Sequence, residues 1–225
     1  MRTCCTTEAV FFKAPSEDLF LGGGIHVWRF VHRSGDESLL SPNEALQAGK
    51  FHSADARAAF IAGRSGIRRV GSLYSKIPAS ELLVESDANG KPLFSNAGVH
   101  FNISHSGPTV VAAFSGSPVG IDIESRGRCR DFVGIARRFF HPSEATAVAE
   151  SEDEAHFLRL WTGKEAMLKL SGEGISGGLQ DARPGGEGSA MLRGSWVHLA
   201  GFSFEDVIGA VAAFEPAEVK GWFQF

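Results

Sequence analysis

Apolar and polar positions alternate along some stretches of the chain and recur at helical spacing along others. Ile25 to Val31 alternates, which predicts a strand. Ser41-Pro-Asn-Glu44 has the form of a capping box with proline at the first helical position, so a short helix should follow. A longer helix is expected from about Ala54 to Tyr74. The pattern then turns to strands. A short one is expected at Glu81 to Val84, and a second where Val99, Phe101 and Ile103 alternate with His100, Asn102 and Ser104. Two more are expected at Thr109 to Phe114 and Val119 to Glu124, with turns at Ser106-Gly-Pro108 and Ser115-Gly-Ser-Pro118 between them. Helices return at about 131–140 and 142–150. Ser151-x-x-Glu154 reads as a second capping box, opening a helix that Gly172 ends. Met191 to Phe225 reads as strands again, including Val207 to Phe214.

This order predicts an α+β protein of two halves, residues 1–116 and 117–225. Two glycine-rich stretches punctuate it. Gly22 to Gly24 precedes the first strand, and seven glycines between Gly172 and Gly188 predict a long mobile loop. A chain of 225 residues that is 43% hydrophobic can bury a sizeable core. Its apolar runs reach only about five residues, as at Val110 to Phe114, where a spanning helix needs about 20. The net charge of −4 argues against a dedicated nucleic-acid binder. Cys4, Cys5 and Cys129 form neither a disulfide framework nor a zinc spacing. With no apolar signal segment in the N-terminal residues, a cytoplasmic protein is expected.

Three segments carry candidate chemistry. In the strand Gly120-Ile-Asp-Ile-Glu124, alternation sends Ile121 and Ile123 to one face and Asp122 and Glu124 to the other. Neighbouring carboxylates repel unless a cation sits between them, which a hard divalent ion does well; an ordinary solvated face is the plainer reading. In Trp161-Thr-Gly-Lys-Glu-Ala-Met-Leu-Lys169, the helical wheel places Glu165 between Leu158, Trp161 and Leu168, on the inward face. A carboxylate there needs a partner or a metal, although an i,i+4 surface pair with Lys169 is the bland alternative. Phe101-Asn-Ile-Ser-His-Ser106 ends a strand with hydroxyls and an imidazole that can hold phosphate oxygens, or that merely satisfy a hairpin.

Lesser features are the turn Gly90-Lys-Pro92 and His141-Pro-Ser-Glu144, read as a helix start. Arg126, Arg128, Arg130, Arg137 and Arg138, opposed only by Asp131, form either a solvated patch or a dock for an acidic partner. Arg57, Arg64, Arg68 and Arg69 read mostly as a solvated helix face.

Together these residues resemble the 4'-phosphopantetheinyl transferases of the larger, surfactin-synthetase-activating type. The resemblance lies in Gly90-Lys-Pro92, Phe101-Asn-Ile-Ser-His-Ser106, Gly120-Ile-Asp-Ile-Glu124, Arg138-Phe-Phe140 with Glu144, and Trp161-x-x-Lys-Glu-Ala166 with Lys169. It is specific over about 90–175 and looser over 40–75, where only Lys50 is basic between Ser41 and Lys50. It implies two similar α/β halves related by a pseudo-twofold axis, with the active site between them. It further implies that the phosphopantetheine arm of coenzyme A passes to a serine of an apo acyl or peptidyl carrier protein, releasing 3',5'-ADP. By the same resemblance, Asp122, Glu124 and Glu165 would ligate Mg²⁺, Glu165 or a water it orients would accept the serine proton, and Lys169 would stabilise the diphosphate. Ser104 and His105 would contact the 3'-phosphate, with Lys91 near the adenosine end, and Lys164, Arg57 and Arg64 are further candidates for the coenzyme A site. A monomer is expected, with no membrane or nucleic-acid partner.

Two alternatives stay open from the residues alone. One is another Mg²⁺-dependent enzyme acting on phosphoanhydrides, which the carboxylates also allow. The other is a carrier-protein binder without chemistry.

Overall fold

The computed structural model describes residues 6–13, 19–172, 178–184, 188–216 and 218–225. No helix among them is long and apolar enough to cross a membrane. The first strands are β1 (Thr6–Glu8), β2 (Phe12–Lys13) and β3 (Ile25–Phe30), followed by the helices α1 (Pro42–Ala48) and α2 (Ala54–Ser75). Then come β4 (Val84–Ser86), β5 (Pro92–Phe94), β6 (His100–Ser106), β7 (Thr109–Ser115) and β8 (Val119–Ser125). The helices α3 (Phe132–Phe139), α4 (Pro142–Ser151) and α5 (Glu154–Ser171) precede β9 (Ala182–Pro184), β10 (Ser189–Leu192), β11 (Ser195–Phe204), β12 (Val207–Ala213) and β13 (Val219–Gln224).

The chain divides into two compact units, one taking Val10–Pro118 with the C-terminal tail from residue 217, the other Val119–Pro216 with the residues up to Ala9. Each unit is a helix on a sheet, so the expected α+β class holds. Both units are discontinuous, where the sequence reading placed a single cut at 116/117. Long-range strand pairing is the cause. The tail strand β13 runs parallel to β3, and β1 runs parallel to β11.

In the α2 unit the sheet order is β2-β13-β3-β7-β6, with β4 and β5 a separate hairpin. Ser41 caps α1 in the expected capping box, and Ser53 caps α2. The core is aromatic, built on Trp28, Phe30, Phe94, Phe101 and Phe114 with Ile67 and Val70 from α2. The chain has 18 phenylalanines and one tyrosine. Tyr74 stands where a phenol has partners: its oxygen accepts from Trp28 Nε1 at 3.0 Å and lies 2.7 Å from His26 Nδ1.

In the α5 unit the order is β8-β12-β11-β10-β9. The long strand β11 pairs with β10 over Ser195–His198 and with β1 over Gly201–Ser203. Helix α5 lies on β8 and β12, and Met167, Leu168 and Leu170 pack with Val197 and Leu199. A second cluster joins Phe140, Val148, Phe157 and Ile208.

Three expectations are corrected. Ser151 does not cap α5; it is the last residue of α4, and its hydroxyl donates to Val148 O. Asp153, whose carboxylate accepts from Ala155 N at 2.9 Å, is the cap, and Glu154 instead accepts from Gly127 N. Glu81 lies in a 3₁₀ turn, and the strand begins at Val84. Within the glycine-rich stretch, Ala182–Pro184 forms β9 rather than loop, while residues 173–177 and 185–187 lie outside the described residues.

Candidate active site

The acidic cluster of the α5 unit follows from a strand and a helix that approach closely. Asp122 lies mid-strand in β8, opposite Ala210 of β12, and its neighbours Ile121 and Ile123 are fully buried. A Cβ on Gly120 would overlap the carbonyl oxygen of Ala166 and stand 2.6 Å from Leu170 N. Glycine is therefore required where α5 crosses β8. The crossing carries Glu165 and Lys169 towards the acidic strand. Lys169 Nζ lies 2.7 Å from Asp122 Oδ1.

The wheel places Glu165 inward, and the structure buries it to 7% exposure, with Asp122 at 5%. Glu165 Oε1 is buried and has no hydrogen-bond partner. Its pKa is pushed up to about 7, first by burial and then by the charge of Asp122; Lys169 pulls it down and Glu124 raises it again. Like charges therefore act on Glu165 from both acidic positions of β8. Among the described residues, no three His, Cys, Asp or Glu side chains are gathered closely enough to hold a metal ion. The donor chemistry nevertheless suits a hard cation: carboxylate oxygens, one of them buried without a partner, which mutual repulsion makes costly to ionise.

The other candidates are placed as follows. Ser104 and His105 are adjacent on β6, Ser104 buried and His105 exposed. Lys91 follows a turn whose Asp87 carboxylate accepts from Asn89 N and Lys91 N. Burial lowers the pKa of the Lys91 amine, and Asp87 opposes that. Arg57 pairs with Glu37 at 2.9 Å on the surface. Arg64 lies 3.7 Å from Glu44 and 5.4 Å from the centre of the Phe60 ring. Arg68 is no solvated helix residue. It is 4% exposed and paired with Glu44 at 2.8 Å.

Lys164 needs a correction. It is fully buried, and its amine is 2.8 Å from Glu144 Oε2 and 3.0 Å from Leu179 O, with Ala182 O as a third acceptor. An ammonium has three donors, and all three are spent on the protein. It is thus not presented to coenzyme A as the resemblance implied. Glu144, read in the sequence as a helix start, was missed as the lysine's partner. The available signal was a lysine at an inward helical position, which requires a carboxylate.

Two family models match adjacent stretches of the chain. Residues 32–117 match the model described as 4'-phosphopantetheinyl transferase, N-terminal, and residues 118–191 match the 4'-phosphopantetheinyl transferase superfamily. The 4'-phosphopantetheinyl transferase HetI of Nostoc sp. is 31% identical over 75% of this chain and 77% of its own length. Sfp of Bacillus subtilis is 34% identical over 68% and 70%. The chain belongs to the 4'-phosphopantetheinyl transferase family. Another relative, psf-1 of Bacillus pumilus, is 39% identical, and the chain spans 61% of its length. These relatives place the chain with the Sfp-type members of the family, and Asp122, Glu124, Glu165 and Lys169 all fall within the matched residues 118–191.

Proposed function

We propose that this transferase moves the 4'-phosphopantetheine arm of coenzyme A onto a serine of an apo acyl or peptidyl carrier protein. The observation that carries this reading is the buried Asp122 and Glu165, with Lys169 beside Asp122, in a chain that matches the family on both sides of them. In the reaction a bond forms from the serine oxygen to the β-phosphorus of coenzyme A. The anhydride bond breaks, and 3',5'-ADP leaves.

Asp122, Glu124 and Glu165 are the proposed Mg²⁺ ligands and would have to draw together to hold the ion, which when bound supplies neutralisation of charge on the diphosphate. The chain's own groups do the rest. Lys169, beside Asp122, would set an ammonium against the charge of the diphosphate. Glu165 would take the serine proton directly or through a water. Ser104 and His105 are the proposed contacts to the 3'-phosphate, and Lys91 to the adenosine end. Arg57 and Arg64 already have acidic partners and are weaker candidates for that pocket.

The carrier would meet the loop after β8. Arg126, Arg128 and Arg130 are exposed there, with Arg137 and Arg138 on α3. Glu154 fixes this loop by accepting from Gly127 N at 2.9 Å. The excess of positive charge on an acidic protein suits an acidic partner. The reading includes a cytoplasmic monomer, which the cysteine usage and the two internal halves support.

The test is intact-protein mass spectrometry of an apo carrier protein mixed with the transferase, coenzyme A and Mg²⁺, with an EDTA control. A metal-dependent gain of one phosphopantetheine arm is expected. Coenzyme A hydrolysis without transfer would replace this reading with a phosphoanhydride hydrolase, and carrier binding without transfer would replace it with a non-catalytic binder.

A further inference from the structure

We infer that Lys164 and Glu144 form a positioning pair that holds Glu165 in place by fixing the rotation of α5, without touching coenzyme A. This rests on the transferase reading, and it assigns Lys164 a role in that reaction other than ligand contact.

The Lys164 amine is enclosed completely. Its three acceptors come from three places in the α5 unit: Glu144 in the first turn of α4, and the carbonyls of Leu179 and Ala182 just before and within β9. The ring of Phe140 stands 5.0 Å from the same amine, so the remaining wall is aromatic. The Glu144 carboxylate is itself fixed. Its Oε2 also accepts from His141 N at 3.1 Å, closing the capping box of α4. The acceptor that orients Lys164 is therefore held by the backbone of another helix.

Lys164 and Glu165 are consecutive on α5, so their side chains leave the helix about 100° apart. Tying one to α4 and β9 sets the direction of the other. On its other flank α5 is stopped by the backbone contact over Gly120. A helix held on both flanks cannot roll, and Glu165 stays aimed at Asp122. A buried ion pair adds little net stability compared with apolar groups, whereas its fixed geometry contributes specificity, as here. Glycine at 163 fits the same picture, since a Cβ there would press on Leu199 and Pro184 at 3.1 and 3.3 Å.

The experiment compares Lys164→Met, Glu144→Ala, Glu144→Gln and the Lys164→Met/Glu144→Ala double variant. The readouts are kcat and KM with coenzyme A, Mg²⁺ and an apo acyl carrier protein, the coenzyme A Kd by calorimetry, and folding by thermal melts. Wild-type transfer is the control, and its absence would remove the transferase reading itself. Misplacement of a reacting group predicts that Lys164→Met and Glu144→Ala each lower kcat by about ten- to a hundredfold, with coenzyme A Kd changed by less than about twofold. Because the two act through one contact, the double variant should lose no more than the weaker single. Glu144→Gln keeps an acceptor oxygen for both His141 N and Lys164, and should recover most of kcat. If Lys164→Met does not fold, the two Glu144 variants carry the same test. A folded Lys164→Met that raises the coenzyme A Kd about tenfold and keeps kcat would restore a ligand contact and overturn the proposal. So would folded variants that lose thermal stability but keep wild-type kcat, which would make the pair structural only.

Discussion

The two units solve one problem, a helix laid on a sheet, in opposite ways. In the α5 unit the glycine is on the strand. Gly120 lets the backbone of α5 come down onto β8, and no side chain separates Ala166 O from the strand. In the α2 unit the glycines are on the helix. Gly63, Gly66 and Gly71 make room for the side chains of Ile103, Phe30 and Phe94 that rise from the sheet and hairpin. The first arrangement shortens the gap between helix and strand until carboxylates on each act on one another. The second fills the gap with aromatic and aliphatic packing. Apart from the fully matched Lys164 and Glu144 of the α5 unit, the buried charges contrast as well. Glu165 is buried with a partnerless oxygen, whereas the buried Arg68 is matched to Glu44 at 2.8 Å. An unsatisfied buried group marks the unit where a ligand is expected, and a satisfied one marks structure.

The largest effect should come from Glu165 itself. Glu165→Gln keeps the shape of the buried side chain and removes its charge. Transfer to an apo carrier protein should fall by about 10³-fold while the thermal melt stays cooperative. A folded, fully active variant would mean that the α5 unit holds no catalytic carboxylate at this position. Next comes the close approach. Gly120→Ala puts a methyl into the helix backbone, which cannot move aside as a side chain can. Urea unfolding should show a loss of more than about 3 kcal/mol. Near-wild-type stability would show that α5 can lift from β8 at little cost, and the contrast between the units would fail.

A smaller effect is the pH dependence of stability without Mg²⁺. The folded-state pKa of Glu165 is about 7, above its ordinary value of 4.5. The folded protein therefore binds this proton more tightly than the unfolded chain does. Its contribution is fully present below about pH 4.5, falls as pH rises towards 7, and is flat above that. The difference in melting temperature between Glu165→Gln and wild type should widen over this window in favour of the glutamine. A difference that stays constant from pH 5 to 8 would remove the perturbed carboxylate.

Much of this was readable in the residues, because it rests on local rules. Alternation along β8 put Asp122 opposite the isoleucines, the wheel put Glu165 inward, and Ser41 with Glu44 marked the start of α1. What was not readable depends on partners distant in the chain. Nothing near Lys164 announces the carbonyls of Leu179 and Ala182, so a buried clamp reads like a phosphate-binding lysine of the same motif. The parallel pairing of β13 with β3 joins residues nearly 200 positions apart and has no local signature. Ser151 misled because two capping residues stand close together, and the structure uses Asp153, whose carboxylate reaches Ala155 N while the serine hydroxyl is taken by Val148 O.

The smallest expected effect is also the sharpest check on the contrast. Gly63 sits inside α2, and a Cβ there would stand 2.8 Å from Cδ1 of Ile103 and 3.4 Å from Val110. The crowding atom is the far end of an aliphatic side chain that is only half-buried, so a rotamer change relieves it. Against this small strain stands the helix propensity of alanine over glycine, about 1 kcal/mol. The two nearly cancel, and Gly63→Ala should change stability by less than about 1 kcal/mol in urea unfolding. The same substitution, one methyl for one hydrogen, is thus expected to be severe at Gly120 and nearly silent at Gly63. If Gly63→Ala destabilises as much as Gly120→Ala, what lies above the glycine, backbone or side chain, does not decide how close a helix and a sheet must come.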